Sequence, residues 1–202
     1  VGNESLLFLI GTTCGILTNL HLHPDERRLD ALLRQADEQM RTALRALAEA
    51  ADARNPLILL GETLRQADEW AAKNAENSLT DAPTREIHYI NMRRQQRRIL
   101  LQVTKDAQKV QGHPPQEAEV RALIGRIFAE YDRENDCTSL LSALHDLLAE
   151  MQRQPLPATR GEFEDRALLY VLLRRMEDFL LLKREFYETY GYEINHQLER
   201  KS

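Results

Sequence analysis

The sequence predicts an all-α protein, an antiparallel bundle of about five to six helices preceded by a transmembrane-like helix. Three observations support this fold class. Gly (8) and Pro (7) are scarce among the 202 residues, and Leu, Ala, Glu, Arg and Gln prevail over residues that favour β-strands. Apolar residues recur at steps of three and four, which is the period of one helical face. The prolines fall between these periodic segments, where they end one helix or begin the next.

The periodic segments define the predicted helices in chain order. The first three run from about 24 to 54, from 57 to 77 and from 84 to 111; a fourth reaches about 134, a fifth follows the turn 135–138, and a sixth runs from 159 or 160 to at least 187. Gly112, before Pro114 and Pro115, is interpreted as the glycine that ends the third helix. Thr159 and Glu162 have the spacing of a capping box at the start of the sixth.

The apolar stripes of these helices predict the core. In the third helix the stripe includes Gln96, and in the second Trp70 is expected beside the stripe. In the sixth helix the predicted core includes Phe163, Leu168, Val171, Leu172, Met176, Phe179, Leu180 and Phe186. Together these stripes give each helix one side to bury against its neighbours.

Residues 1–23 are predicted to be the end of a transmembrane helix, and residues 24–202 a helical-bundle domain. From Ser5 to Leu22 the chain has no acidic or basic residue other than His21. A membrane helix needs about 20 apolar residues, and because the chain begins at Val1 we expect the span to continue upstream. Gly11 and Gly15 have the GxxxG spacing that lets membrane helices pack closely. The alternative is a buried first helix of a free-standing bundle.

Composition and motifs exclude several functions. The net charge of −5 disfavours nucleic-acid binding, which requires a basic surface. The chain has one Glu-x-x-His motif, ending at His196, whereas a di-metal bundle site needs two. The acidic run 132–136 has Cys137 where a calcium loop requires glycine. We therefore predict no catalytic residue, no metal site and no cofactor, and expect a protein that is not an enzyme.

One charged segment stands out against the acidic background. Between Arg85 and Lys109 there are seven basic and two acidic residues. Four of the basic residues recur at steps of three and four, which predicts that they share one side of the helix; they are Arg93, Arg94, Arg97 and Arg98. One interpretation is packing against acidic neighbours, with candidates Glu117, Glu119, Glu130 and Asp132. The other is contact with anionic lipid headgroups or with an anionic substrate.

Basic residues also suggest an orientation. Arg27, Arg28 and Arg34 follow the apolar segment within about 15 residues, the distance over which positive charge favours the cytoplasmic side. The expected location is the inner (plasma) membrane, with the bundle in the cytoplasm.

Five stretches in order along the chain resemble the C-terminal domain of the bacterial aromatic acid exporter family, which is related to the fusaric-acid-resistance-type transporters. They are Leu17–Pro24, Tyr89–Gln96, Glu130–Asp136, Pro155–Tyr170 and Glu177–Phe186. The resemblance implies a membrane-anchored exporter subunit whose bundle has an assembly or regulatory role in efflux of aromatic carboxylates. It carries over no catalytic residue.

The partners that follow from this resemblance are the lipid bilayer, further copies of the chain through the membrane part, and an aromatic carboxylate substrate. No nucleic-acid partner is expected. The alternative function is a soluble or membrane-tethered helical regulator or sensor without transport activity. A regulator of the phosphate-uptake type would show two similar three-helix units with acidic clusters, and the sequence shows neither.

Overall fold

The structure, a computed structural model, describes residues 27–77, 84–131 and 135–199. These residues form six α-helices and no strand. The bounds are 27–48 for α1, Arg54–Asn77 for α2, Thr84–Ala107 for α3, Gln116–Glu130 for α4, Thr138–Arg153 for α5 and Arg160–Glu199 for α6. The predicted all-α class is confirmed for this part of the chain.

Helices α3 and α6 pack along each other in opposite directions. Near the end of α3, Asp106 lies 3.1 Å from Arg175, which is early in α6. Near the start of α3, the Tyr89 ring contacts Phe186, which is late in α6. Helix α2 packs on α3, while α4 and α5 pack on each other and on α6. The antiparallel packing of α3 and α6 agrees with the arrangement that the sequence predicts.

No helix among the described residues is long and apolar enough to cross a membrane. The predicted membrane segment, residues 1–23, lies outside the described residues together with Gly11 and Gly15. The membrane span, its packing glycines and the division of the chain at residue 23 therefore stay predictions.

Helix α1 ends at residue 48, earlier than the expected end near 54. The reason is a turn at Ala50, whose φ of 59° lies in the left-handed region. There the amide of Ala51 donates to the carbonyl of Ala46 at 2.7 Å, and the amide of Ala50 donates to that of Leu47 at 3.4 Å. This pair of bonds is the Schellman motif, which usually has glycine at the left-handed position. Alanine carries no turn signal, so the sequence pattern runs through it.

Helix α3 ends at Ala107, and Gly112 has a different role from the predicted one. No glycine among the described residues has a positive φ, and the left-handed residue here is His113. Instead, the Asp165 carboxylate accepts hydrogen bonds from the amides of Gln111 (3.0 Å) and Gly112 (2.7 Å). A Cβ on Gly112 would lie 2.6 Å from that carboxylate. Glycine is thus required by the close approach of α6.

The capping box at the start of α6 is confirmed. The amide of Glu162 donates to the Thr159 hydroxyl at 3.1 Å, and the Glu162 carboxylate accepts from the amide of Ala158 at 2.8 Å. The side chains of Thr159 and Glu162 therefore satisfy two amide groups that would otherwise lack partners at this helix start.

Most predicted core residues are buried, but Phe163 and Val171 are not. Phe163 is 61% exposed and Val171 is 41% exposed. Each lies two positions along α6 from a buried residue, Asp165 or Leu169. Two positions along a helix correspond to a rotation of about 200°, so both side chains point away from the bundle. The assignment of these two residues to the core was wrong.

Replacing Ala50 with glycine should stabilise the protein. The left-handed conformation costs a residue with a Cβ roughly 1–2 kcal/mol, and glycine removes this cost while adding entropy to the unfolded chain. We expect the free energy of unfolding to rise by about 0.5–1 kcal/mol in urea denaturation. Ala31→Gly, within α1, is the matched control and should lower it by about 1 kcal/mol. Destabilisation by Ala50→Gly would contradict the turn described.

Candidate functional site

The polar centre of the bundle is the guanidinium of Arg93, on α3. The residue is 1% exposed and is one of the largest fully buried side chains. Burying a charge costs several kcal/mol unless it is paired and hydrogen-bonded. The partners of Arg93 therefore decide whether this position is a binding site or part of the fold.

All three guanidinium nitrogens of Arg93 donate to side chains of the protein. Nε donates to Asp37 Oδ1 at 3.0 Å, and Nη2 lies 2.8 Å from the same oxygen. Nη2 also donates to the Tyr89 hydroxyl at 2.7 Å. Nη1 donates to Gln96 Oε1 at 2.8 Å and to the Tyr131 hydroxyl. We call these five residues the Arg93 cluster.

The Arg93 cluster joins four parts of the bundle. Asp37 belongs to α1, while Tyr89, Arg93 and Gln96 belong to α3. Tyr131 directly follows α4 and donates from its hydroxyl to Gln96 Oε1 at 2.8 Å. Gln96 Nε2 in turn donates to the carbonyl of Phe179, on α6, at 2.9 Å. The polar side chains of the Arg93 cluster therefore fix the relative positions of several helices.

Aromatic rings complete the surroundings of the charge. The Arg93 guanidinium lies 4.8 Å from the centre of the Tyr89 ring and 4.9 Å from that of Tyr131. Lys183 Nζ, on α6, lies 4.8 Å from the Tyr131 ring and donates to the carbonyl of Asn135 at 2.8 Å. Such cation–π contacts favour a cation even where water is excluded.

Arg93 stays protonated in this environment. Burial lowers its pKa, but the nearby Tyr89 and Asp37 outweigh that effect, and the pKa lies above its ordinary value. A cation that is permanently charged, buried and hydrogen-bonded through every nitrogen has no means of proton transfer. The arrangement indicates that Arg93 holds the helices in position and does not take part in proton transfer.

The other three arginines of the basic segment lie in different places. Arg94 Nη2 pairs with Asp68 Oδ2, on α2, at 3.0 Å. Arg97 Nε donates to the carbonyl of Leu57 at 2.5 Å, beside Gly61, where an added Cβ would lie 2.7 Å from the guanidinium. Partial burial, together with the charge of Arg98, lowers the pKa of Arg97. Arg98 itself is exposed.

For Arg93 the structure agrees with packing against an acidic neighbour, because this residue is buried and pairs with Asp37. Its position, four residues after Tyr89 and three before Gln96, places it within the buried stripe. The acidic partners of Arg93 and Arg94 are Asp37 and Asp68. The predicted candidates were Glu117, Glu119, Glu130 and Asp132. Of these, Glu117 pairs with Arg121, Glu130 pairs with Arg126, and Asp132 lies outside the described residues. Contact of Arg94, Arg97 or Arg98 with lipid or an anionic substrate stays a prediction.

A second polar group lies around Glu117, at the start of α4. Burial raises the pKa of this carboxyl, but hydrogen bonds from Arg121 and His113 outweigh the effect and hold it below its ordinary value. Arg121 Nη1 also donates to the carbonyl of Leu47, at the end of α1, at 2.9 Å. The adjacent cavity, whose walls include Leu172, measures about 10 Å³. That volume is close to the minimum for one water molecule.

In the described part of the chain, the residues considered for metal and thiol chemistry have contacts that explain them without a metal ion. The described residues contain no group of three or more side chains able to hold a metal ion. Asp136 accepts from the amide and hydroxyl of Thr138 (3.0 and 2.8 Å), and these bonds lower its pKa. Cys137 is buried with a φ of 64°, and His145 pairs with Glu177 at 2.7 Å.

Comparison with known proteins places the chain in a family. The family model described as the putative aromatic acid exporter C-terminal domain matches residues 20–184. The chain belongs to this family. It is an exporter-associated domain family, and it is not defined by an enzymatic activity.

Two relatives of this exporter-domain protein are informative. The uncharacterized protein YqjA of Bacillus subtilis (strain 168) is 24% identical over 199 residues, and the match covers 92% of this chain and 60% of YqjA. The chain thus spans about three fifths of the length of that relative. The crystal structure of a putative membrane protein from Clostridium difficile 630 superposes with a TM-score of 0.71 at 23% identity, over 79% of this chain and 99% of the other. It supports the fold.

Replacing Arg93 with methionine should strongly destabilise the exporter-family bundle. The substitution leaves the Asp37 carboxylate, which is 19% exposed, without its cation. Removing one partner of a buried pair costs about 3–5 kcal/mol, which urea denaturation followed by circular dichroism would measure. Arg98→Met is the matched control, because Arg98 is exposed on the same helix, and should change stability by less than about 0.5 kcal/mol. Equal effects of both substitutions would show that Arg93 is not structurally important.

Proposed function

We propose that this bundle is the cytoplasmic domain of an inner-membrane exporter of aromatic carboxylates, with an assembly or regulatory role in efflux. The observation that carries the proposal is the family match over residues 20–184. Export itself would be performed by a membrane part, to which the apolar segment 1–23 connects the bundle. The bilayer and further copies of the chain, associated through that membrane part, are the proposed partners.

The length of the curated relative supports a larger parent protein. The match covers 60% of YqjA, so that relative contains further sequence besides the part similar to this chain. The solved relative is described as a putative membrane protein. Both observations agree with a bundle that works attached to a membrane.

The geometry supports a role through surfaces. A site for a small organic ligand is usually a cleft of about 300–1,000 Å³, whereas the cavity beside Glu117 measures about 10 Å³. The guanidinium of Arg93, the most buried cation, is already bound to Asp37 and two tyrosines. Neither place has room for an aromatic carboxylate. We infer that the bundle positions or regulates the transport pathway and that neither of these two places binds the substrate.

Efflux measurements test this proposal in cells that produce the natural protein containing this sequence. Deleting its gene should raise the accumulation of radiolabelled benzoate and cinnamate, and restoring the gene should reverse the effect. A version that ends at residue 23 should stay in the carbonate-washed membrane pellet and restore efflux incompletely, because the bundle is missing.

Three results separate the parts of the proposal. Unchanged accumulation in the deletion strain would contradict export of aromatic carboxylates. Full restoration by the version ending at residue 23 would contradict a role of the bundle in efflux. Recovery of residues 1–202 and of residues 24–202 alike in the soluble fraction would contradict the membrane anchor and favour a free-standing regulator.

A further inference from the structure

The outer side of α6 carries an apolar surface opposite the core. It contains Phe163 (61% exposed), Tyr170 (39%), Val171 (41%) and Leu181 (43%). Met176 and Leu180, on the other side of the helix, are fully buried in the bundle. The exposed residues follow one another at steps compatible with a single helical face. We call this surface, including Arg174 and Asp178 at its centre, the outer α6 face.

The charges at the centre of this face have a particular order. Arg174 and Asp178 are four residues apart, so they lie on the same side of the helix one turn apart. Both are exposed, and Arg174 Nη1 also pairs with Glu177 of the same helix at 2.6 Å. An arginine and an aspartate in the middle of an apolar face are costly to cover with a purely apolar partner. A partner with the opposite order of charges removes this cost.

We infer that the outer α6 face binds the same face of a second copy of this chain, with the two α6 helices antiparallel about a two-fold axis that crosses this face at the level of position 176. In that register, a residue that precedes position 176 by a given number of residues faces the partner's residue that follows position 176 by the same number. Arg174 then faces Asp178 of the partner subunit, and the same pair occurs again across the axis. Val171 likewise faces the partner's Leu181, twice. At these central positions the surface is complementary to itself in charge and in apolar character, as a two-fold interface requires. Nearer its ends Glu164 faces the partner's Glu188, and each of these carboxylates keeps an arginine of its own helix as its counter-charge.

This interface concerns exposed side chains of α6 and does not depend on export or on the membrane segment. It lies on the side of α6 away from the Arg93 cluster, so two copies can associate without rearranging the bundle. Apolar contacts flank two central ion pairs, and the opposite charges of these pairs fix the register of the two helices. An apolar surface would supply no opposite charge to Asp178 or to Arg174.

Charge exchange tests the inference in the 202-residue chain, with sedimentation equilibrium in one mild detergent for all variants. Wild type should form dimers. Arg174→Glu and Asp178→Arg each place like charges together twice, and each should raise the dimer dissociation constant at least about tenfold. The double variant, Arg174→Glu with Asp178→Arg, restores opposite charges and should return the constant to within about threefold of wild type. Arg153→Glu, with a side chain 76% exposed on α5, is the control for net charge and should behave as wild type.

Each outcome decides the inference. Loss of association in both single variants and its recovery in the double variant would support the antiparallel interface. A monomeric wild-type chain would overturn it. Dimers that persist in both single variants would also overturn it, and this result is expected if copies associate through residues 1–23. A double variant whose association is not restored would overturn it as well. Circular dichroism should show the same helicity for all four variants, because the substituted side chains are exposed.

Discussion

The burial of one guanidinium constrains the whole bundle. Arg93 is a charged group that has lost its water, and such a group is tolerated only where geometry supplies a counter-charge and hydrogen-bond acceptors together. Asp37 supplies the charge from α1, and the hydroxyl of Tyr131 supplies an acceptor from the chain that follows α4. Gln96 connects the same group to α6. Displacing any of these segments would leave a buried polar group without a partner.

Other polar contacts extend the same principle towards the end of the bundle where α3 finishes. Asp165 accepts from the amides of Gln111 and Gly112, which fixes the start of α6 against the chain that follows α3. Arg121 donates to the carbonyl of Leu47 and ties α4 to the end of α1. In each case a side chain of one helix bonds to backbone groups at or beyond the end of another. These contacts give a bundle with defined helix positions, which suits a domain proposed to act through its surfaces.

The sequence predicts the class and most helices of this bundle because apolar periodicity and prolines are strong local signals. It also predicts the capping box of α6, which needs only two side chains at fixed spacing. The ends of α1, α3 and α4 were expected several residues too late. At α1 the reason is a left-handed alanine, which has no sequence pattern of its own. The outward position of Phe163 and Val171 was missed because a stripe identifies apolar residues more readily than their angle around the helix.

The candidate site shows the limit of local reasoning more clearly. The spacing of Tyr89, Arg93 and Gln96 places Arg93 in the buried stripe, so its burial could have been predicted. Its partner Asp37 is 56 residues away and its partner Tyr131 is 38 residues away. Such pairs are set by how helices are arranged, and one sequence contains no signal for them. The four arginines were grouped by their charge, and this grouping did not distinguish the buried Arg93 from the other three.

The charges of Arg93 and Asp37 stabilise each other and so hold the helices in place. A double-mutant cycle between these two residues tests this stabilisation most directly. Arg93→Met, Asp37→Asn and the double variant would be compared by urea denaturation of the full chain. Because each single change removes the opposite charge from the other group, the double variant should lose less free energy of unfolding than the sum of the single losses, by about 1–3 kcal/mol. Losses that add without any such difference would contradict the account.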